Sequence, residues 1–486
     1  MKSLTAAAVA AALAATLAAC DSTRPARFVA ASVPPRPADA WTPPKEAVPV
    51  VVAPAAPAGI PADLLDGRRT ISLDEAVDVA LSTSPVTRRS WLLARSAAAD
   101  VGSRKGAYWP QVDLGANVLR QNQVSQGGRI EVLQTTWGPT AALGWTLLDF
   151  GGRSADVEEK RQALFAAGWL HNQAVSDVVL SVQAAYYQYQ GAKALLSATE
   201  SSLKQAEENL AAAEERRRAG VATVADVLQA KTSLSQRTLE RETARGLIET
   251  TRGALATALG VPANLPVDVS ELPDGLRLEG ATPTVEQLIA EAQRRRPDLA
   301  AARSRGLAAR AKAASVRSSA LPSLVGAGTF ARTYFESPEG VVPFGDNWSA
   351  GIAVRWPVFN GFQKAYDRRK AEEDAAAADA ATDVLAQQAI YQVWAGYATV
   401  KTAAERIRAA KDLLASATES EQVTLGRYKA GVGGILDLLA AESSLASARA
   451  TDVQARASFL VALAQLAHDT GALGLAPIPQ LKKDTP

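Results

Sequence analysis

Two aspartates occupy equivalent places in a stretch of sequence that occurs twice. The first copy, RAGVATVADVLQAKTSL, covers residues 218–234, and the second, KAGVGGILDLLAAESSL, covers residues 429–445. In each copy an aspartate stands six residues after the glycine of a Gly-Val pair, which singles out Asp226 and Asp437. Glycine permits a tight reversal of the chain, and an aspartate just after it either caps a helix or presents its charge to solvent. One residue can do both.

Residue types suited to catalysis or metal binding are scarce in this chain. Its 486 residues include two histidines, His171 and His468, and one cysteine, Cys20. We find no phosphate-binding loop, no zinc-ligand spacing and no nucleophile elbow. The net charge of +2, with 21% charged residues, does not favour nucleic acid as a partner. We therefore predict a protein that is not an enzyme and needs no cofactor or metal.

The repeated stretch belongs to a duplication that covers most of the chain. Trp145 corresponds to Trp356 and Gly260 to Gly471, at the same offset of 211 residues. Pro85 corresponds to Pro297 at an offset of 212 residues. A constant spacing of this kind indicates two copies of one structural unit.

The N-terminal residues predict export and lipid attachment. Residues 1–19 contain a lysine followed by an apolar run of about 16 residues, which is typical of a signal peptide and short for a membrane span. The run ends in Leu17-Ala18-Ala19-Cys20, which resembles the bacterial lipoprotein box, so we predict that Cys20 is acylated, for example by palmitate. An uncleaved anchor is the alternative. Residues 20–69 are rich in proline and alanine and predict a lipid-anchored tether.

Within each repeat the apolar periodicity changes from 3.6 to 2 and back. The first repeat, residues 70–260, contains helices, a β-hairpin at about 108–148, a long helix, a turn near Gly220 and a return helix. The second repeat, residues 284–471, places its hairpin at about 321–359 and its turn near Gly431. A connector at 261–283 joins the repeats, and a tail at 472–486 follows them. In each repeat we expect the helix before the hairpin, which begins near Pro85 in the first repeat, to stack end to end with the return helix. Together the two would match the long helix in length.

The predicted strands are long enough to cross a bilayer as tilted β structure, which takes about 9–11 residues. One face of each hairpin is apolar and carries aromatics such as Trp145 and Trp356, and the other face is polar or small. Four strands cannot close a barrel in lipid, because closure takes about eight. Chains must therefore share strands, and the count leaves two or three copies open. A structural coiled-coil lipoprotein is an alternative that the two amphipathic hairpins disfavour.

The duplicated pattern, the strand ends and the two glycine turns together resemble the TolC family of outer-membrane efflux proteins. The strand ends read WTLLDFGG from Trp145 and WPVFNG from Trp356. The resemblance implies an α+β membrane protein: a homotrimer with a twelve-stranded transmembrane β-barrel and a coiled-coil α-helical tunnel in the periplasm. It also implies a periplasmic adaptor (membrane fusion) protein, an inner-membrane transporter of RND or ABC type, and contact with outer-membrane lipid.

The resemblance assigns roles to the turn residues. Gly220, Val221, Gly431 and Val432 are expected at the periplasmic tips, in contact with the adaptor. Asp226 and Asp437 are expected at the tunnel entrance, and Tyr428 resembles a tyrosine that holds the tip shut. Three positions depart from the family pattern, namely Arg217 at the equivalent tyrosine position and Ala222 and Gly433 two residues after the glycines.

The arginine run beside the first tip and the cargo of the channel each allow two interpretations. The run Arg216-Arg217-Arg218 is expected to be a solvated face, with pairing to Glu214, Glu215 or an adaptor as the alternative. For the whole protein we predict an exit channel of a tripartite efflux pump for drugs or other small molecules. The alternative is the exit duct of a type I protein-secretion system.

Overall fold

The computed structural model describes residues 36–39, 69–125, 130–273, 283–337 and 340–473. The predicted signal peptide, Cys20, most of the tether and nearly all of the tail lie outside the described residues. Within the described ranges, no helix combines the length and the apolar character needed to cross a membrane.

Both repeats contain two short helices, a hairpin, a long helix and a return helix. The first repeat consists of β1 (Thr70–Ile71), α1 (Leu73–Thr83), α2 (Pro85–Gly106), β2 (Gln111–Ser125), β3 (Ile130–Leu148), α3 (Gly152–Arg218) and α4 (Val224–Ala258). The connector holds β4 (Asp268–Val269), and the second repeat consists of α5 (Val285–Arg295), α6 (Pro297–Ser318), β5 (Ser323–Ser337), β6 (Gly340–Arg355), α7 (Gln363–Lys429) and α8 (Ile435–Asp469). The two long helices, α3 and α7, are each 67 residues long.

The helices pack side by side as a layer. Helix α3 contacts α2 and α4 of its own repeat and α6 and α8 of the other repeat, whereas α7 contacts α5, α6 and α8. The order across the layer is therefore α7, then α6 with α8, then α3, then α2 with α4. Helix α3 is enclosed by neighbours, and its buried residues Val178, Val182 and Tyr186 pack against α1, α4 and the connector. Among the described residues, the two ends of the layer are not enclosed in this way.

Helix α2 stacks end to end with the return helix α4 beside α3, and α6 stacks with α8 beside α7, as the lengths predict. Gly260 follows the end of α4 with a positive φ of 74° and lies against the junction between α1 and α2. A Cβ atom at Gly260 would lie 3.2 Å from backbone atoms of Ser84 at that junction. Gly471 meets the junction between α5 and α6 in the same way, where a Cβ would lie 2.9 Å from the carbonyl carbon of Arg295.

The four long strands form one antiparallel sheet in the order β2-β3-β5-β6. Trp137 of β3 and Tyr334 of β5 are opposite each other in the register and stack with ring centroids 4.3 Å apart. The apolar residues of β2 and β6, including Val118, Trp348 and Ile352, lie exposed on the sheet surface. The predicted alternation is therefore present, and β2 and β6 are the two edges of the sheet within the chain.

A turn at the end of β3 redirects the chain from the sheet into α3. Phe150 and Gly151 both have positive φ, 50° and 95°. Arg153 spans this turn: its side chain pairs with Asp149 at 3.2 Å and donates to the carbonyl oxygen of Thr146 at 2.6 Å. The strand-end motif of the first repeat thus has a structural role, because the Arg153 guanidinium donates to the carbonyl oxygens of Thr146 and Leu147, where the register between β3 and β5 shifts.

Candidate functional site: the tips of the two helical hairpins

Both glycine turns end a long helix with the same Schellman motif. Gly220 and Gly431 have φ of 75° and 79°, which glycine adopts without a Cβ penalty. The amide of Val221 donates to the carbonyl of Arg216 at 2.9 Å, and the amide of Val432 donates to that of Arg427 at 3.0 Å. Val221 and Val432 are 64% and 70% exposed. The predicted tips are therefore tight turns that each present one apolar side chain to the outside.

The two tips pack against each other within one chain. The buried cluster at this end joins Ala213 of α3 and Val227 of α4 to Tyr428 of α7 and to Ile435 and Leu438 of α8. All four helices contribute to it, so the two hairpins form a single tip rather than two independent ones.

Asp226 belongs to a capping box at the start of α4. Its Oδ2 accepts hydrogen bonds from the amide of Thr223 at 2.7 Å and from the Thr223 hydroxyl at 2.9 Å. The hydroxyl in turn accepts from the amide of Asp226 at 3.2 Å. Thr223 is thus the N-cap and Asp226 is the third helical residue, which corrects the reading of Asp226 as the cap itself. These hydrogen bonds, aided by the charge of Arg216, lower the pKa of Asp226 and keep it ionised.

Asp437 stands at the equivalent place in α8 without an equivalent box. The N-cap residue there is Gly434, which has no side chain to bond with. Asp437 is exposed. Its carboxylate is therefore more available than that of Asp226 to a group from outside the chain.

Tyr428 is held by a cation rather than by its hydroxyl. Its side chain is 6% exposed, and the guanidinium carbon of Arg216 lies 4.5 Å from the ring centroid. Arg216 also donates from Nη1 to the backbone carbonyl of Tyr428 at 2.8 Å. A cation over an aromatic face is worth about 0.5–2 kcal/mol, depending on desolvation. Arg216 therefore links α3 of one hairpin to α7 of the other.

The arginine run is divided between two roles. Arg216 makes the contacts with Tyr428, which the expectation of a solvated face missed. Arg218 pairs with Glu215, as the alternative reading proposed. Arg217 is the residue that replaces tyrosine, and no sequence signal distinguishes Arg216 from the two arginines that follow it.

A buried polar layer above the tip was not anticipated from the sequence. Gln205 and Asn209 of α3 donate from their amide groups to Glu421 of α7 and Glu442 of α8, respectively. Asn209, Glu421 and Glu442 are all buried. The one sequence signal is that Glu442 stands where the first repeat has Lys231.

Across the described ranges, no group of three or more potential metal ligands comes together. Cys20 lies outside the described residues, so its acylation remains a prediction. What the site offers is a paired set of exposed turns held by interhelical contacts, at one end of helices about 100 Å long at 1.5 Å per residue.

A sheet of membrane-length strands continued by very long helices defines a channel protein of the outer membrane. The chain matches the outer membrane efflux protein family over residues 76–261 and 288–472, and it belongs to that family. Because the members and structural neighbours of this family are channels, the protein is a transport conduit and not an enzyme.

Similar proteins cover most of this chain. Protein CyaE of Bordetella pertussis is 29% identical over 437 residues, which is 89% of this chain and 90% of that protein. The antibiotic efflux pump outer membrane protein ArpC of Pseudomonas putida is 25% identical over 402 residues, which is 79% of this chain and 80% of that protein. The structure of the outer-membrane channel OprN superposes with a TM-score of 0.73 at 22% identity, covering 87% of this chain and 98% of that one. The α+β channel fold predicted from the sequence is thereby confirmed.

Proposed function

We propose that three copies of this chain close into one continuous channel and that this channel is the exit duct of a tripartite efflux pump. The observation that carries the proposal is the open architecture of the single chain. In the part of the chain that the structure describes, the sheet and the helical layer each have two ends without a neighbour, and one end of a copy can pack against the opposite end of the next copy.

The sheet supports closure between chains. Its edges are β2 and β6, and all three pairings within the chain are antiparallel. A β6 edge next to the β2 edge of another copy continues the same alternation of strand directions. Unpaired strand edges are not tolerated in lipid, so the edges must pair. Three copies supply twelve strands, which is the number that the family resemblance implies.

The helical layer supports the same arrangement. Helix α7, at one end, exposes large apolar side chains that include Tyr366, Tyr391 and Trp394. Helices α2 and α4, at the other end, expose Leu93 and Leu239. Exposed apolar residues along a helix face mark a surface that is covered in the assembly. Packing α7 of one copy against α2 and α4 of the next would cover both and enclose a tube.

The exposed tips support the assignment of partners. Val221 and Val432 lie at the end of the tube that is farthest from the sheet, where a periplasmic adaptor could contact them. An inner-membrane transporter of RND or ABC type would then deliver cargo to the entrance, which Asp226 and Asp437 would line and which the buried Tyr428 would help to hold shut. Small molecules such as drugs are the proposed cargo, in keeping with the antibiotic efflux pump to which the relative ArpC belongs. Acylation of Cys20 would add an anchor in the outer membrane.

Disulfide trapping tests the closure between chains. A cysteine in place of Asn117 of β2 is combined in turn with a cysteine at Asn347, Ser349 or Gly351 of β6. By the strand register all four positions lie on the same face of the sheet. We expect at least one pair to give a covalent ladder that ends at three chains. Trp348→Cys is the matched control, because successive side chains point to opposite faces. A ladder that ends at two chains, or none in any pair, would contradict the trimer.

Loss of the gene distinguishes the two cargo readings. We expect cells without it to accumulate dyes and to become sensitive to antibiotics, with normal levels of secreted proteins. Loss of one extracellular protein with unchanged dye accumulation would instead indicate a type I secretion duct.

A further inference from the structure

Two buried glutamates lie between the helical hairpins, above the tip. Glu421 of α7 is 6% exposed and Glu442 of α8 is 7% exposed. We propose that this pair is a proton-binding site that tightens the seam between α3 and the α7–α8 hairpin when it holds a proton, and loosens the seam when both carboxylates are ionised. The inference rests on the proposed channel function, because the seam ends at the proposed gate.

The geometry places both glutamates on the same face of α3. Gln205 donates to Oε1 of Glu421, and Asn209 donates to Oε1 of Glu442. Gln205 and Asn209 are four residues apart, which is about 6 Å along the helix. Asn209 precedes Gly220 by 11 residues, so the pair lies about 16 Å from the turn. Both hydrogen bonds cross the seam between the two hairpins.

The surroundings do not fully compensate two negative charges. Helix α3 presents the two neutral amides, and helix α4 presents Arg237, which is 8% exposed. Arg237 is already engaged, since its Nη1 donates to Oε2 of Glu240 at 2.7 Å. Glu421 and Glu442 are the acidic groups contributed by α7 and α8. Two buried like charges near a cation that is already paired favour the uptake of a proton.

The electrostatics give the direction of the effect. Burial raises the pKa of Glu442 to about 7, and the negative charge of Glu421 raises it further. The hydrogen bond from Asn209 and the charge of Arg237 lower the pKa, but they do not cancel the rise. If opening exposes Glu442 to water, its pKa returns toward the ordinary value of 4.5. The closed seam therefore binds the proton more tightly than the open one.

The pH range follows from those two values. As the pH rises from 4.5 to about 7, the open state loses its proton first, and opening becomes up to about tenfold more favourable per pH unit. Above about 7 both states are ionised and the effect stops growing. A protonated carboxyl also gains an O–H donor, which two ionised carboxylates lack.

Two variants and two readouts test the proposal. The open probability of the purified oligomer is measured in planar bilayers between about pH 5 and pH 8, together with amide hydrogen exchange in α3 and α8 corrected for intrinsic rates. Glu442→Gln and Glu421→Gln keep the shape and remove the titrating group. Glu419→Gln is the control, because Glu419 lies on α7, as Glu421 does, but is exposed to solvent.

We expect the parent protein and the control to open more often, and to exchange faster near the tip, as the pH rises to about 7. Glu442→Gln should remove this pH dependence and keep exchange slow throughout. The proposal is overturned if exchange near the tip does not change with pH in the parent protein, or if Glu442→Gln retains the full dependence. A protein that never conducts but shows the expected exchange would speak against the channel function and leave the proton site standing.

Discussion

We predict that a positive charge on His468 stabilises the contact between α8 and α3. His468 lies in the last turn of α8, where its Nε2 is 2.8 Å from Oδ1 of Asp177 on α3 and its Nδ1 is 3.2 Å from Oδ1 of Asp469. Burial opposes the charged ring, but the hydrogen bonds and negative charges of the two aspartates outweigh it and raise the pKa of His468 to about 9. The ring is thus an imidazolium at neutral pH, and it links α8 to α3.

The expected effect is a stabilisation that depends on pH. The folded pKa of about 9 lies above the ordinary value of 6.5, so the contribution is complete below 6.5 and is lost as the pH rises through 9. A difference of this size corresponds to about 3 kcal/mol at most, at 1.36 kcal/mol per pKa unit. Asp177 is 53% exposed, so solvent screening reduces the contribution, and we expect about 1–2 kcal/mol.

Thermal unfolding of His468→Gln measures this effect. Glutamine keeps a hydrogen-bonding group but carries no charge, so the variant should be less stable than the parent at about pH 6 and similar to it at about pH 10. His171 is the matched control, because burial lowers its pKa and gives the opposite trend. His171→Gln should differ least from the parent at acid pH. An equal loss of stability for His468→Gln at both pH values would refute the assignment of a charged ring.

Three further predictions concern the turns and the tip. Gly431→Ala should cost about 1 kcal/mol of stability from the positive φ alone, whereas Gly471→Ala should cost more because its Cβ would lie 2.9 Å from a backbone atom. Thermal unfolding compares the two variants, and equal losses of stability would contradict the packing argument. Thr223→Ala should cost about 1 kcal/mol and speed hydrogen exchange in the first turn of α4, and unchanged exchange there would mean that the capping box contributes little. Asp226→Ala combined with Tyr428→Ala should make the channel leak in planar bilayers, and unchanged conductance would remove both residues from the gate.

The repeat and the element types were readable from local patterns. The offset between Asp226 and Asp437 exposed the duplication, and the change of apolar period separated strands from helices. These signals are local, because a glycine with positive φ or an alternating strand carries its requirement in neighbouring residues. The turns at Gly220 and Gly431 and the end-to-end stacking of α2 with α4 agree with what the patterns predicted.

The contacts between repeats could not be read in this way. Nothing in the sequence around Arg216 shows that it lies over Tyr428, which is 212 residues away. Asp226 illustrates the same limit on a shorter scale, because its role depends on whether Thr223 or the aspartate itself begins the helix. The buried layer of Gln205, Asn209 and Glu442 went unnoticed, since each residue by itself is an ordinary polar residue on a long helix.

The sequence by itself determined the class of the protein, its two halves and the places where the chain turns, because periodicity and glycine positions act over a few residues. Only the tertiary structure decided which charges are buried and which side chains meet across the hairpins. Those properties depend on how α3 packs against α7 and α8, and burial changes the cost of a charge far more than its neighbours in sequence do. The seam at Glu442 and the link at Tyr428 therefore became visible only once the helices were in place.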